Sequence, residues 1–296
     1  MEAALQLSSE ILNAMACPWC KASFKTHMKV LSEQLVCFEC GGKYPITPNG
    51  VVDMRCLPPQ YTVSPFQRYW VDGQKEFEIY ATLSARQDLS FYLKQIKDSE
   101  EIYVQFLHLE RIQGLVLDVG GSNGRLARWV SNVQKYISLD PFLTAKEDLT
   151  TEDQLVAYPH LKEKCNFIGG RAELLPFLSS SFEFIRCNSV IDQVWDPYAA
   201  FREMFRVLIF GGRLFLGVST QNPSPINSML KRRASLVVSS VKRIAQKLSP
   251  LYPSFHLWRP SRANIIDLAA DVGFEIIKEM TLLDGTYLCL LMTKKG

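Results

Sequence analysis

The sequence predicts an α/β protein: a mostly parallel sheet with helices on both faces, preceded by a small cysteine-rich module. Three observations carry that reading. From about residue 105 onward, short apolar runs alternate with amphipathic stretches, the pattern of strands and crossover helices. The first of those runs ends in a turn punctuated by Gly120, Gly121 and Gly124. Ahead of it, ACPWCKASFKTHMKVLSEQLVCFECGGKYPI holds four of the eight cysteines as two C-x2-C pairs.

The pairs are Cys17 with Cys20 and Cys37 with Cys40, a C-x2-C-x16-C-x2-C spacing suited to a four-thiolate zinc site. Two sulfurs three positions apart on a tight turn face one ion, and two such turns complete a tetrahedron. A redox C-x-x-C would open a helix within a βαβ unit, and neither pair has that setting. Four thiolates leave no open coordination position, so the expected metal is structural, and it replaces the core that so small a module lacks. Cys56, Cys165, Cys187 and Cys289 stand singly, mostly in apolar runs, and read as core residues. Around the ligands, ILNAMACPWC, LVCFECGGKYPI and NGVVDM resemble the zinc-ribbon family whose stand-alone member activates tRNA and protein methyltransferases. That likeness covers about residues 10–55. It sets the first unit at 1–57, followed by a linker and helical lid at 58–104.

The large unit, 105–296, follows strand by strand. LVLDV is a strand, its glycine turn lets backbone approach a ligand, and GRLARWVSNV has helical spacing. YISLDP ends a second strand in Asp140, an acid placed to accept both hydroxyls of a ribose. CNFIGG and SFEFIRCNSV give the third and fourth strands, PYAAFREMFRVL an amphipathic helix and GGRLFLGV the fifth strand. SRANIIDLAADVGFEIIKEMTLL reads as a helix, a glycine C-cap and a sixth strand, and TYLCLLMTKK is the seventh.

In this order the segments resemble class I S-adenosylmethionine-dependent methyltransferases. The fold this implies is a Rossmann-like seven-stranded methyltransferase sheet, last strand antiparallel, behind a small zinc ribbon. The motif D/E-x-G-x-G-x-G falls on Asp118, Gly120, Ser122 and Gly124, and the GDAExLPF motif on Gly170 to Phe177. RVLKPGGRL is matched at Arg206-Val207-Leu208 and Gly211 to Leu214. The resemblance implies cofactor contacts at Asp118, Gly120, Gly121, Ser122, Gly124, Asp140, Pro141, Arg171, Ala172, Glu173 and Asn188. Ser122 replaces a usual glycine, and Arg171 replaces the acid that commonly meets the adenine amino group. Those departures keep a non-catalytic scaffold among the readings. A dehydrogenase would share the glycine turn, but the Asp284-Gly285 hairpin and the lack of a second mononucleotide-binding half favour the methyltransferase.

Composition narrows the partners. The chain has 296 residues and a net charge of +3, yet no acid lies between Glu203 and Asp267. That stretch holds ten bases, so the remainder carries 23 basic against 30 acidic residues. Within the insertion 219–262, residues 226–248 read as a basic amphipathic helix for an anionic membrane, a cover over an anionic substrate, or a solvated face. His256, just beyond it, is the candidate general base and Asp192, after the fourth strand, the second candidate, with a packing or capping histidine as the competing reading. The aromatic segment before the first strand, including Phe66, Tyr69, Trp70, Phe77 and Tyr80, suits a lid, or ordinary core. The chain shows neither an 18-residue apolar run nor a basic-then-apolar leader, and a cytoplasmic protein is expected, peripheral at a membrane if that helix binds lipid. The sequence expectation is methyl transfer to a small or lipid-like acceptor. RNA is the second choice, because zinc ribbons also precede this fold in ribosomal RNA guanine methyltransferases. Against RNA, CNSVID stands where N/D-P-P-Y/F/W would mark base-amino methylation.

Overall fold

The computed structural model describes residues 5–55, 75, 77–162, 166–220, 258–283 and 285–295. The N-terminal unit opens with helix α1 (Ser9–Ala14), capped by the Ser8 side chain, and a single turn, α2 (Phe24–His27). Three short antiparallel strands follow, β1 (Met28–Leu31), β2 (Gln34–Cys37) and β3 (Lys43–Pro45). Alternation along β2 buries Leu35 and Cys37 and exposes Gln34, as a half-covered sheet requires.

The segment between the ribbon and the large sheet contains a helical stretch at 77–84, helix α3 (Leu89–Glu100) and a wide π-type turn over Glu101–Phe106. The large sheet then runs through β4 (Val116–Val119), β5 (Tyr136–Asp140), β6 (Asn166–Gly169), β7 (Phe182–Asn188), β8 (Leu208–Ser219), β9 (Phe274–Leu282) and β10 (Tyr287–Lys294). Its order is β6-β5-β4-β7-β8-β10-β9. The first five strands are mutually parallel, and β10 runs antiparallel between β8 and β9. Every residue of β4, β5 and β6 is buried, the signature of a parallel sheet covered on both faces.

Helix α6 (Pro197–Val207) explains itself from sequence. Asp196 caps it through the Ala199 amide, Pro197 sits where its missing N–H costs nothing, and Ala200, Phe201, Met204 and Val207 form the buried stripe. Helix α7 (Arg262–Val272) starts in a reciprocal Ser261–Asn264 capping box and stops at Gly273, whose φ is +105°. Between β5 and β6 lie α4 (Ala145–Asp148) and α5 (Glu152–Ala157).

One element departs from expectation. The helical spacing after the glycine turn yields only a 3-10 turn, Arg125–Trp129, and a second one at Val133–Lys135. Trp129 accounts for the break: its ring lies 4.7 Å from Tyr103 and 6.5 Å from Tyr158, centre to centre, and Val130 has gone extended. Aromatic packing outweighs a modest helical preference.

The N-terminal unit is docked, and it shares one core with the sheet. Ile11, Met15, Leu35 and Tyr44 are buried in the same cluster as Leu117, Phe177, Phe182 and Ile185. Backbone bonds seal the joint. Ala16 N–H donates to Pro176 O and Leu178 N–H to Ala14 O, at 2.9 and 2.8 Å. Next to β6, Asp53 forms a parallel bridge with Gly169, through Gly169 N–H to Val52 O and Met54 N–H to Gly169 O. The edge of the large sheet is thereby covered, which removes an aggregation-prone row of open backbone groups.

Candidate active site and metal centre

The four cysteine sulfurs lie within 4.8 Å of one another. Cys17 Sγ to Cys40 Sγ and Cys20 Sγ to Cys37 Sγ are both 3.6 Å. A tetrahedron with Zn–S bonds of about 2.3 Å has edges of about 3.8 Å, so these residues fit zinc without rearrangement. The two knuckles are near copies. Lys21 N–H donates to Cys17 O and Gly41 N–H to Cys37 O, and the cysteine amides donate to Ala22 O and Gly42 O. The fourth position after the leading cysteine is left-handed in each, φ +59° at Lys21 and +74° at Gly41. Tyr44 supports the cluster, its hydroxyl 3.0 Å from Cys17 Sγ. Gly42 makes room for it, since a Cβ there would meet that hydroxyl at 2.7 Å.

Lys21 does more than turn the chain. Its ammonium reaches Glu203 at 2.8 Å and the Leu175 carbonyl at 3.3 Å. Arg206 holds the same carboxylate at 2.7 and 2.8 Å. The two cations hold the Glu203 pKa below the usual range although burial opposes them, and burial pulls Lys21 down.

A cavity of about 530 Å³ opens at the C-terminal ends of the parallel strands. Gly120, Ser122, Asp140, Pro141, Arg171, Ala172, Glu173 and Asn188, all marked from the sequence, line it. Asp118, Gly121 and Gly124 are not among the lining residues. Asp118 is 1% exposed and turned into the sheet, bonded to Arg186 at 2.8 Å and to the Tyr136 hydroxyl at 2.9 Å. Gly121 packs where a Cβ would strike Ser138 and Asp118. Gly120 (φ +68°), Ser122 (+53°) and Gly124 (+89°) are all left-handed, a shape a serine adopts only at a cost in strain.

Asp140 is the most informative wall residue. It is 6% exposed, with one oxygen accepting Ser122 N–H at 3.0 Å and the other Phe142 N–H at 2.8 Å. A carboxylate offers roughly four acceptor sites, so these two bonds leave each oxygen able to take another donor. Burial lifts its pKa to about 6 against the pull of those two amides. A buried carboxylate with one spare acceptor on each oxygen fits a vicinal diol such as a ribose.

Arg171, the residue foreign to the resemblance, has a structural partner: its guanidinium lies 4.5 Å from the Trp195 ring centre. Glu173 accepts the Trp195 amide at 2.9 Å, and burial raises its pKa. The two side chains together brace the loop that follows β7. The stretch 77–84 and α3 add Phe77, Tyr80 and Phe91 to the lining. A buried relay joins this segment to the glycine loop: Asn123 donates to Gln154 at 2.7 Å, Gln154 to the Tyr92 hydroxyl at 2.9 Å, and that hydroxyl to Ala85 O. Sequence reasoning passed over Asn123, Gln154 and Tyr92; an amide at a variable place in the glycine loop, and an amide and a tyrosine in ordinary helices, carry no motif. His256 and 226–248 lie outside the described residues, as do Phe66, Tyr69 and Trp70.

With this geometry in view, the comparisons with known proteins decide the assignment. Residues 117–216 match the family model described as "Methyltransferase domain", and residues 8–47 that described as "Trm112p-like protein". The chain is an S-adenosylmethionine-dependent methyltransferase with its own zinc ribbon. Among curated relatives, the methyltransferase is 27% identical over 186 residues to the ubiquinone/menaquinone biosynthesis C-methyltransferase UbiE of Vibrio campbellii, covering 57% of this chain and 68% of that protein. Its likeness to the protein of that name from Shewanella woodyi is 24% over 183 residues, 57% and 70% of the two chains. Among solved structures, 1,6-didemethyltoxoflavin-N1-methyltransferase of Burkholderia thailandensis superposes with a TM-score of 0.51 at 11% identity, covering 92% of this chain and 100% of that one. This last likeness is one of fold. No helix among the described residues is long and apolar enough to cross a membrane.

Proposed function

We propose that this methyltransferase acts on a small or lipid-like aromatic acceptor bearing a hydroxyl, of the hydroquinone class. The observation that carries the reading is the shared cavity, which Asp140 and the glycine loop line together with the aromatic side chains of Phe77, Tyr80 and Phe91. The curated relatives named above, which methylate carbon in ubiquinone and menaquinone biosynthesis by their names, support the same class.

S-adenosylmethionine, when bound, would supply an electrophilic methyl group on a sulfonium, leaving as a neutral thioether while the acceptor's proton is released to solvent. The chain's own contribution is binding, orientation and exclusion of water, which in displacement reactions accounts for most of the acceleration. Asp140 takes the ribose hydroxyls, the turn at 170–173 takes the adenine, and Gly120 gives the methionine part close backbone. The Asn123–Gln154–Tyr92 relay holds the aromatic segment against the loop, keeping the cavity lining in register. The basic insertion belongs to the same reading as a contact with anionic lipid, where a hydrophobic acceptor resides, each base near the surface contributing about 1 kcal/mol.

The test is direct. Full-length protein is incubated with methyl-labelled S-adenosylmethionine and a reduced naphthoquinol in anionic vesicles, or with bulk tRNA and rRNA. Label in the organic extract is expected. Label in RNA with none in the quinol overturns the reading.

A further inference from the structure

At the end of β7, Asn188, a cofactor contact by the resemblance, meets Ser189 and Tyr287, two residues with no role assigned above. Ser189 lines the cavity, is exposed, and holds a left-handed backbone, φ +57°, that serine seldom adopts. The conformation is pinned from both sides: Ser189 N–H donates to Gly217 O and Gln193 Nε2 donates to Ser189 O, each at 2.7 Å. Its hydroxyl lies 2.8 Å from the Tyr287 hydroxyl, which in turn donates to Asn188 Oδ1 at 3.1 Å. Gly217 leaves the space for this contact, because a Cβ there would fall 2.1 Å from Asn188 Oδ1 and 2.9 Å from the tyrosine oxygen. Strain held by surrounding bonds on a cavity wall is a mark of function.

The cluster has a defined polarity. Tyr287 has one hydroxyl proton, and Asn188 Oδ1 can only accept. With that proton given to Asn188, Ser189 must donate its own to the tyrosine. The serine oxygen then meets the cavity with lone pairs only. Burial lifts the Tyr287 pKa to about 12, so the phenol stays protonated and the polarity holds at neutral pH.

We infer that Ser189, oriented by Tyr287, is an acceptor-binding residue that takes a hydrogen bond from the O–H of the methyl acceptor and selects protic acceptors over their ethers. This rests on the aromatic-acceptor reading above. Ser189 carries no motif in the sequence, and Tyr287 comes from almost 100 residues further on.

The experiment uses α-naphthol and its methyl ether as probes, with S-adenosylhomocysteine saturating the full-length protein so that no reaction occurs. Wild type should bind α-naphthol about tenfold more tightly than the ether, the scale of one neutral hydrogen bond in a cavity. Ser189→Gly should abolish that preference while leaving S-adenosylhomocysteine affinity unchanged. It should not destabilise the fold, since glycine suits a positive φ. Ser189→Asn, which tolerates the left-handed region and keeps an acceptor oxygen, should restore much of the preference. Tyr287→Phe should reduce it through loss of orientation. Ser189→Gly with undiminished preference, or equal binding of both probes by wild type, overturns this inference alone. Wild type that binds S-adenosylhomocysteine but neither probe overturns the aromatic-acceptor reading, and this inference with it.

Discussion

The ribbon and the large sheet both set anionic groups beside left-handed turns, and they neutralise them differently. In the ribbon, four thiolates converge within 4.8 Å, and Leu35 and Tyr44 provide the little apolar matter that three short strands can bury. Such a cluster of charge is tolerable only around a cation, so the metal is part of the fold. In the sheet, Asp140 is one buried carboxylate amid wholly buried strands, held by two backbone amides and a raised pKa. Its ligand can leave without unfolding anything. The difference teaches that a bound ion is structural where the core is too small, and exchangeable where the core is complete.

Removing the metal should break that contrast most forcefully. Zinc binding contributes on the order of 10 kcal/mol to modules of this kind. Cys37→Ser should lose the roughly one zinc per chain expected of wild type, and residues 5–55 should become protease-sensitive. The large sheet should survive with a lower melting temperature, since Phe177 and Phe182 lose their cover and the Gly169 edge is opened. Metal-free protein with a protected N-terminus would contradict the whole account of the ribbon.

Removing the carboxylate should touch binding and not folding. Asp140→Ala deletes two charged hydrogen-bond acceptors, each contributing about 1.5–3 kcal/mol, so S-adenosylmethionine affinity should fall at least tenfold. The sign with pH follows from its raised pKa. Below about 6 the free protein holds Asp140 protonated, and the ribose loses its acceptor; affinity should therefore climb as pH rises through about 6 and level off above it. Calorimetry across that range checks it, and the variant's profile should be flat. Wild type with a flat profile would take the ribose role from Asp140.

Much of this contrast is legible in sequence, and the limits have physical causes. Two C-x2-C pairs state their ligand set outright, because the metal's tetrahedron fixes the spacing. The strands themselves and the Gly273 cap are local, so apolar runs and one glycine reveal them. Asp118 is different: its motif position says nothing of Arg186, a cross-strand neighbour that claims the carboxylate for the sheet. The short turn at Arg125–Trp129 was hidden for the same reason, since Tyr103 and Tyr158 reach it from elsewhere in the chain. Docking of the ribbon was also beyond reach, because Lys21 and Glu203 are 182 residues apart.

That docking contact gives the next test. Lys21 and Glu203 are 30% and 14% exposed, so theirs is a sheltered pair, and losing one partner leaves Glu203 to Arg206 alone. Lys21→Met keeps the length of the side chain and removes its charge. It should cost about 2 kcal/mol in urea unfolding, within the range for a charged hydrogen bond lost from a partly buried site. Zinc content should not change. An unaltered midpoint would mean that the apolar joint alone holds the ribbon.

The smallest effect separates strain from docking at the same residue. Lys21 and Gly41 occupy matching places in the two knuckles, yet only Gly41 is free of the left-handed penalty, about 1–2 kcal/mol for a residue with a Cβ. Lys21→Gly loses the ion pair as Lys21→Met does, but it also relieves that strain. Against the relief stands the extra freedom glycine gives the unfolded chain, about 0.5–1 kcal/mol. The glycine variant should thus be the more stable of the two by about 0.5–1 kcal/mol, and still less stable than wild type. Urea midpoints of the three proteins at matched zinc occupancy measure both differences. A glycine variant as stable as wild type would mean that the lysine's bond to Glu203 only offsets the strain of its own turn. A glycine variant less stable than Lys21→Met would mean that the bonds around the knuckle already hold Lys21 without strain, and that the likeness between the two turns is one of shape alone.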